Sequence, residues 1–107
     1  MRTIALAIAL LSTTAVQAFE PDVKLVCTLD AGFVLNLYMD RDADEVKGRA
    51  EGSQTVYVGR VDTTPEAYSV WLQNNVTLEI DRQTGQTDAR TSDGTPVRGN
   101  CRSAGPL

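Results

Sequence analysis

Residues 23–39, VKLVCTLDAGFVLNLYM, decide the fold of this chain. Apolar side chains recur at every second position over 23–29 and again over 33–39. A period of two is typical of a strand with one buried face. Two such runs joined by the short turn sequence at 30–32 are typical of an antiparallel hairpin. The stretch therefore predicts a β-sheet protein.

The same pattern continues through the rest of the chain. Further β-rich or alternating runs occupy 54–61, 67–72 and 76–80, and weaker candidate strands lie at 45–50, 86–90 and 97–102. Turn clusters rich in Asn, Gly and Asp separate the later runs, at the spacing of roughly 8–12 residues seen in antiparallel barrels and sandwiches. The sequence predicts an all-β fold: a small antiparallel β-barrel or sandwich of about eight short strands.

The start of the chain predicts export. Residues 1–18, MRTIALAIALLSTTAVQA, carry one basic residue, an apolar run and a small-residue exit, which is the layout of a secretory signal peptide. The run is shorter than the roughly 20 residues of a membrane helix. We expect a signal peptide at 1–18 and a single all-β domain at 19–107, in the periplasm or secreted. The first cysteine, Cys27, does not directly follow Ala18, so we expect no lipid anchor in the membrane.

Cys27 and Cys101 are the two cysteines, and they lie near opposite ends of the mature chain. In an oxidising compartment their pairing into one disulfide is the simplest interpretation. They are not spaced as a reactive C-x-x-C pair. Closing so long a loop would stabilise the fold by roughly 4 kcal/mol.

Composition narrows the function classes. The formal net charge is −4 and becomes more negative once Arg2 leaves with the signal peptide, which argues against a nucleic-acid partner and favours a cationic one. Histidine is absent, so the commonest general base and metal ligand is missing. We expect no enzyme activity and no cofactor. A hydrolase built on Glu79 and Asp81, which share a strand face, remains the catalytic alternative.

The acidic stretch at 40–51, DRDADEVKGRAE, has part of the carboxylate spacing of a calcium loop. Asp40, Asp42, Asp44 and Glu51 stand at its positions one, three, five and twelve. Glycine is missing from position six, and the preceding segment alternates like a strand instead of a helix. We therefore predict a solvated hairpin turn without a metal ion.

The layout of residues 25–102 resembles one known family. An early cysteine, a succession of short strands, a loop bearing a tyrosine, a strand with a tryptophan and a closing Gly-Asn-Cys run are similar to the periplasmic and membrane-bound inhibitors of C-type lysozyme. Members of that family are small antiparallel barrels with a disulfide. A loop with a Ser-Gly-x-x-Tyr type motif enters the lysozyme cleft.

In this chain the corresponding stretch is DTTPEAYSVW, residues 62–71, in which Tyr68 matches the tyrosine and Thr64-Pro65 occupies the place of Ser-Gly. The resemblance implies a basic lysozyme as partner. It implies these partner-binding residues: Thr64, Pro65, Glu66 and Tyr68.

Two functional predictions remain open. The first is an exported protein-binding module that resembles a C-type lysozyme inhibitor. The alternative is a structural or accessory protein of the bacterial cell envelope that has no inhibitory activity and binds through Trp71 or an exposed strand edge. A tryptophan in such a domain is more often a core residue than a contact. We expect a monomer or a weak dimer.

Overall fold

The computed structural model describes residues 18–104, which form eight strands closed into one antiparallel barrel. Each strand pairs with its neighbours in chain order, and the last pairs with the first. The strands are β1 Val23–Leu29, β2 Phe33–Asp40, β3 Glu45–Ala50, β4 Tyr57–Thr63, β5 Ala67–Leu72, β6 Thr77–Asp81, β7 Gln86–Arg90 and β8 Pro96–Ser103. The all-β prediction is confirmed, and the barrel is the form adopted. The signal-peptide prediction falls, apart from Ala18, outside the described residues.

The barrel closes between its first and last strands. β1 pairs with β8 from Leu25 opposite Ser103 to Leu29 opposite Gly99. Cys27 lies directly opposite Cys101 in this ladder, with their Cα atoms 3.9 Å apart, and the two form the predicted disulfide. The covalent bond therefore lies across the seam that closes the sheet, and it is compatible with an oxidising, extracytoplasmic location.

Alternate side chains of every strand fill the barrel. The pleat turns Leu25 to Leu29 of β1 and Leu35 to Met39 of β2 inward at every second position, as their period predicts. Phe33 is in phase with this face, but it starts β2 at the rim of the barrel and is exposed. Two polar residues are buried as well, Asp40 at the end of β2 and Thr87 in β7. The Thr87 hydroxyl donates a hydrogen bond to the Gly85 carbonyl oxygen at 2.9 Å. The largest side chains that are almost fully buried are Leu37, Met39, Val46, Val61, Val70, Leu78 and Ile80. Because an eight-stranded barrel has room for little more than its own side chains, function is expected on its ends and outer face.

The connections divide between two ends of the barrel. What we call the terminal end carries the segment before β1, the residue after β8, and the turns at 41–44, 64–66 and 82–85. The opposite end carries the connections at 30–32, 51–56, 73–76 and 91–95. No helix within residues 18–104 has the length and hydropathy to cross a bilayer.

Candidate functional site

The loop between β4 and β5, residues Thr64–Glu66, lies at the terminal end and is exposed throughout. Its ends are joined by backbone and side-chain hydrogen bonds. The Thr64 amide donates to the Ala67 carbonyl oxygen at 2.9 Å, and the Ala67 amide donates to Thr64 Oγ1 at 3.0 Å. Pro65 fixes its own φ in the turn. The loop is thus exposed and held in one conformation.

Arg82, from the turn after β6, fixes this loop from the side. Its guanidinium Nη1 donates to the Thr64 carbonyl oxygen at 2.7 Å, and its backbone amide donates to the Glu66 carbonyl oxygen at 2.9 Å. Two of the loop carbonyls therefore have a partner on the neighbouring turn. A charge-assisted bond of this kind is among the stronger hydrogen bonds in a protein.

Tyr68 lies beneath the loop instead of projecting from it. Its side chain belongs to the core, with 8 % of the residue exposed, while Thr64, Pro65 and Glu66 face solvent. The Arg82 guanidinium carbon lies 4.7 Å from the Tyr68 ring centroid, close enough for a cation–π interaction. The family resemblance implies four partner-binding residues. Three of them, Thr64, Pro65 and Glu66, lie at the surface, whereas Tyr68 packs in the core beneath this loop.

The chain matches no protein-family model, no curated protein and no solved structure. Support for a function therefore comes from the geometry of this barrel.

An acidic surface adjoins the loop on the outer face of the barrel. Glu66, Glu79, Asp81 and Asp88 line a shallow groove of about 300 Å³ that begins at the loop and crosses β6 and β7. Glu79 and Asp88 lie directly opposite each other in the β6–β7 ladder. Like charges in that relation repel. Arg98 offsets part of the repulsion, since its Nε lies 3.5 Å from Asp88 Oδ1 in an exposed ion pair.

The two carboxylates proposed for hydrolysis have separate hydrogen-bonding roles. Glu79 accepts a hydrogen bond from the Ser69 hydroxyl at 2.6 Å. Asp81 accepts from the amides of Thr84 at 3.0 Å and Gln83 at 2.8 Å, and these bonds hold the pKa of Asp81 below its ordinary value. Both residues are on the exposed face of β6. Asp81 therefore stabilises the turn that follows the strand.

The four carboxylates of the calcium-like stretch are not brought together. Asp40, Asp42 and Asp44 are at the terminal end, whereas Glu51 follows β3 at the opposite end. Asp40 is buried, and its carboxylate accepts hydrogen bonds from the amides of Glu20 at 2.9 Å and Ala43 at 3.3 Å. Within residues 18–104 no three His, Cys, Asp or Glu side chains are grouped so that they could hold a metal ion.

Trp71 lies on the outer face of β5, with 42 % of the residue exposed. The Arg60 guanidinium carbon, on the paired strand, is 5.3 Å from its ring centroid. The indole borders a groove of about 540 Å³ across β5 to β8, whose polar lining includes Thr77, Glu79 and Arg90. The expectation of a core tryptophan is wrong. The alternation of the strand already indicates an outward position, because Trp71 lies between the buried residues Val70 and Leu72.

Proposed function

We propose that this chain is an exported protein-binding module, in the periplasm or secreted, that binds a basic protein through its loop at 64–66 and the acidic groove beside that loop. The observation that carries the proposal is the exposed Thr64–Glu66 loop, held in one conformation by Arg82. A pre-ordered loop loses little conformational entropy when it binds, which favours affinity. The filled barrel interior leaves the surface as the place where such a module acts.

Charge supports a basic partner. Glu66 at the loop continues into the acidic groove formed with Glu79, Asp81 and Asp88. A cationic surface placed over this groove would be attracted to its four carboxylates, of which Asp88 alone is in an ion pair, with Arg98, within residues 18–104. We propose a C-type lysozyme as that partner, since the loop also occupies the sequence position that the lysozyme-inhibitor resemblance assigns to the contact, and lysozymes of that type are generally basic.

The test is lysis of bacterial cell walls by a C-type lysozyme in the presence of the purified, disulfide-bonded mature domain. We expect lysis to slow in proportion to the added domain. Glu66→Lys should weaken the effect, because it reverses the charge of the exposed loop. Glu51→Lys is the matched control: it makes the same charge change on an exposed residue at the opposite end of the barrel and should leave the effect unchanged. Full lysozyme activity in a large excess of domain would remove lysozyme as the partner.

The second candidate is an accessory protein of the cell envelope without inhibitory activity. One of the two routes considered for it, pairing through a free strand edge, is closed to the eight described strands, because each has a neighbour on both sides. Exposed Trp71 favours the other route, since a large aromatic side chain at the surface is a common anchor of protein interfaces. Retention of a defined envelope protein by the wild-type domain and its loss in Trp71→Ala, with Glu66→Lys unaffected, would favour this function.

A further inference from the structure

A notch opens at the terminal end of the barrel, and Asp81 separates it from the acidic groove. β8 continues to Ser103, whereas its neighbour β7 begins at Gln86, opposite Asn100. The turn before β7 is folded down against the sheet: the Gly85 amide donates to the Asp81 carbonyl oxygen at 2.8 Å, and the Cys101 amide donates to the Gly85 carbonyl oxygen at 2.7 Å. β1 and β8 therefore extend beyond this turn, and the space bounded by their ends and the turn at 82–85 has a volume of about 540 Å³.

Gly85 makes this arrangement possible. Its φ of +81° is in the left-handed region, and a Cβ at this position would overlap the Cys101 carbonyl oxygen. Only glycine can bring the turn so close to β8 with this backbone conformation. The depth of the notch is thus a property of the backbone and does not depend on the rotamer of one exposed side chain.

Cations are concentrated around the opening. The basic side chains that line it are Lys24, Arg41, Arg82 and Arg102. The chain as a whole carries a formal net charge of −4, so this is a positive region on an acidic protein. A cleft lined by one sign of charge concentrates ligands of the opposite sign.

The two carboxylates in the lining are already occupied. Asp22 Oδ2 lies 2.7 Å from Arg41 Nε, and Asp22 Oδ1 accepts from the Arg41 amide at 3.0 Å. The Asp81 carboxylate accepts two amides of its own turn. Arg102 takes part in neither of the two ion pairs found in residues 18–104. Positive charge at the rim is therefore left without an acidic partner.

Core side chains form the base of the notch, beneath a largely polar rim. Leu25, Ile80 and Cys101 are buried core residues that reach its base, and the ring of Tyr68 lies beside them under Arg82. The mouth of a β-barrel is a recurrent place for small-molecule binding, and this notch has the volume of such sites, several convergent charged groups and a small apolar base.

We infer that this notch binds a small amphiphilic anion, with its charged group between Lys24 and Arg102 and its apolar body against Leu25, Ile80 and Tyr68. The required chemistry is one carboxylate or sulfonate on a short aliphatic or aromatic body. A neutral apolar compound would leave the cations unused, and a cationic one would be repelled by them. The site is separate from the exposed face of the Thr64–Glu66 loop, although both contact Arg82.

The probe for the test is 8-anilinonaphthalene-1-sulfonate, an aromatic sulfonate whose fluorescence rises in apolar surroundings. Titrated into the disulfide-bonded mature domain, it should give saturable binding with one site. Octanoate should displace it, whereas octylamine, which has the same chain length and the opposite charge, should not. Failure to bind, or equal displacement by both competitors, would overturn the inference.

Variants locate the site. Lys24→Gln combined with Arg102→Gln should raise the dissociation constant of the probe at least about tenfold, because both charged partners of the sulfonate are removed. Arg90→Gln combined with Arg98→Gln removes the same charge from the outer face and should change it less than twofold. If both double variants changed the dissociation constant of the probe equally, the notch would not be its binding site.

Amide chemical shifts of the wild-type domain give a measurement that does not depend on the folding of any variant. Octanoate should shift the amides of Lys24, Arg82 to Gly85 and Arg102. Shifts centred on Trp71 instead would place the ligand on the outer face and overturn the assignment.

Discussion

The Arg82 guanidinium carbon lies 4.7 Å from the ring centroid of Tyr68, and the same guanidinium group holds the Thr64 carbonyl oxygen at 2.7 Å. Tyr68 is therefore a platform for the arginine that orders the loop. A substitution of Tyr68 acts on the loop through the core, and the loss of partner binding in such a variant would not by itself identify a contact residue.

Substitution of Tyr68 by alanine should destabilise the whole domain. Removing a buried aromatic side chain leaves a cavity, and we expect the free energy of unfolding to fall by about 3–5 kcal/mol. Tyr68→Phe keeps the ring beneath Arg82 and should cost less than about 1 kcal/mol. Urea denaturation followed by circular dichroism measures both values. An unchanged unfolding midpoint in Tyr68→Ala would show that the side chain is not part of the core.

The disulfide should account for a large part of the stability of so small a domain. Cys27 and Cys101 are 74 residues apart in sequence, and their bond lies between the first and last strands. We expect the double variant Cys27→Ala with Cys101→Ala to be less stable by roughly 4 kcal/mol. Urea midpoints with and without a reducing agent provide the control: the reductant should lower the midpoint of the wild type and leave that of the double variant in place. A reductant effect on both would point to a cause other than this bond.

Much of the barrel could be predicted from local sequence. A period of two specifies which side chains face inward, and the turn clusters specify where each strand ends, so β3, β5 and β7 have the predicted bounds. The alternation does not specify which strands pair with each other, because the same pattern is compatible with a sandwich and with a barrel. Only the two cysteines linked the ends of the chain, and a disulfide fixes two residues without specifying the register of the strands around them.

The candidate site was predictable in part. The resemblance points to the loop at 64–66, whereas the burial of Tyr68 follows from its phase with Val70 and not from the motif that assigns Tyr68 to the contact. The notch arises from a length difference between β7 and β8 together with the close approach of Gly85 to Cys101. Such a difference depends on which strands become neighbours, so no single segment carries a signal for it.

Gly59 should be intolerant of any side chain. A Cβ built on it would overlap the Trp71 carbonyl oxygen and lie 2.8 Å from Leu72 Cα, both of which belong to the backbone of β5. The clash can be relieved only by moving a strand, so we expect Gly59→Ala to lower the free energy of unfolding by about 2–3 kcal/mol. At Gly48 the nearest atom would be Leu72 Cδ1 at 3.0 Å, which belongs to a side chain that can move. Gly48→Ala is the control and should cost less; equal costs in urea denaturation would contradict the close packing of β4 against β5.

The turn between β7 and β8 should make stability depend on pH in acid. The carboxylate of Asp93 accepts hydrogen bonds from the Thr91 hydroxyl and from the Thr95 amide at 3.1 Å. Bonding to Thr91 first, and to Thr95 next, lowers the pKa of Asp93 from 3.8 to about 2 in the folded protein. A depressed folded-state pKa means that the stabilising contribution is fully present above 3.8 and is lost as the pH falls through about 2.

We therefore expect the thermal unfolding midpoint of the wild type to fall between about pH 5 and pH 2, and that of Asp93→Asn to fall less over the same interval. Asparagine keeps an oxygen that can accept the Thr91 and Thr95 bonds but has no proton to gain, so the variant removes the titration and preserves the turn. Some decrease should remain in the variant, since the pKa of Asp22 is also lowered: desolvation acts to raise it, but the hydrogen bonds and charge of Arg41 outweigh that effect. Thr91→Val removes the first donor to Asp93. Its thermal unfolding midpoint should therefore also fall less than that of the wild type over this pH interval. If wild type and Asp93→Asn lost the same amount between those two pH values, the bonds in this turn would not be the source of the acid sensitivity.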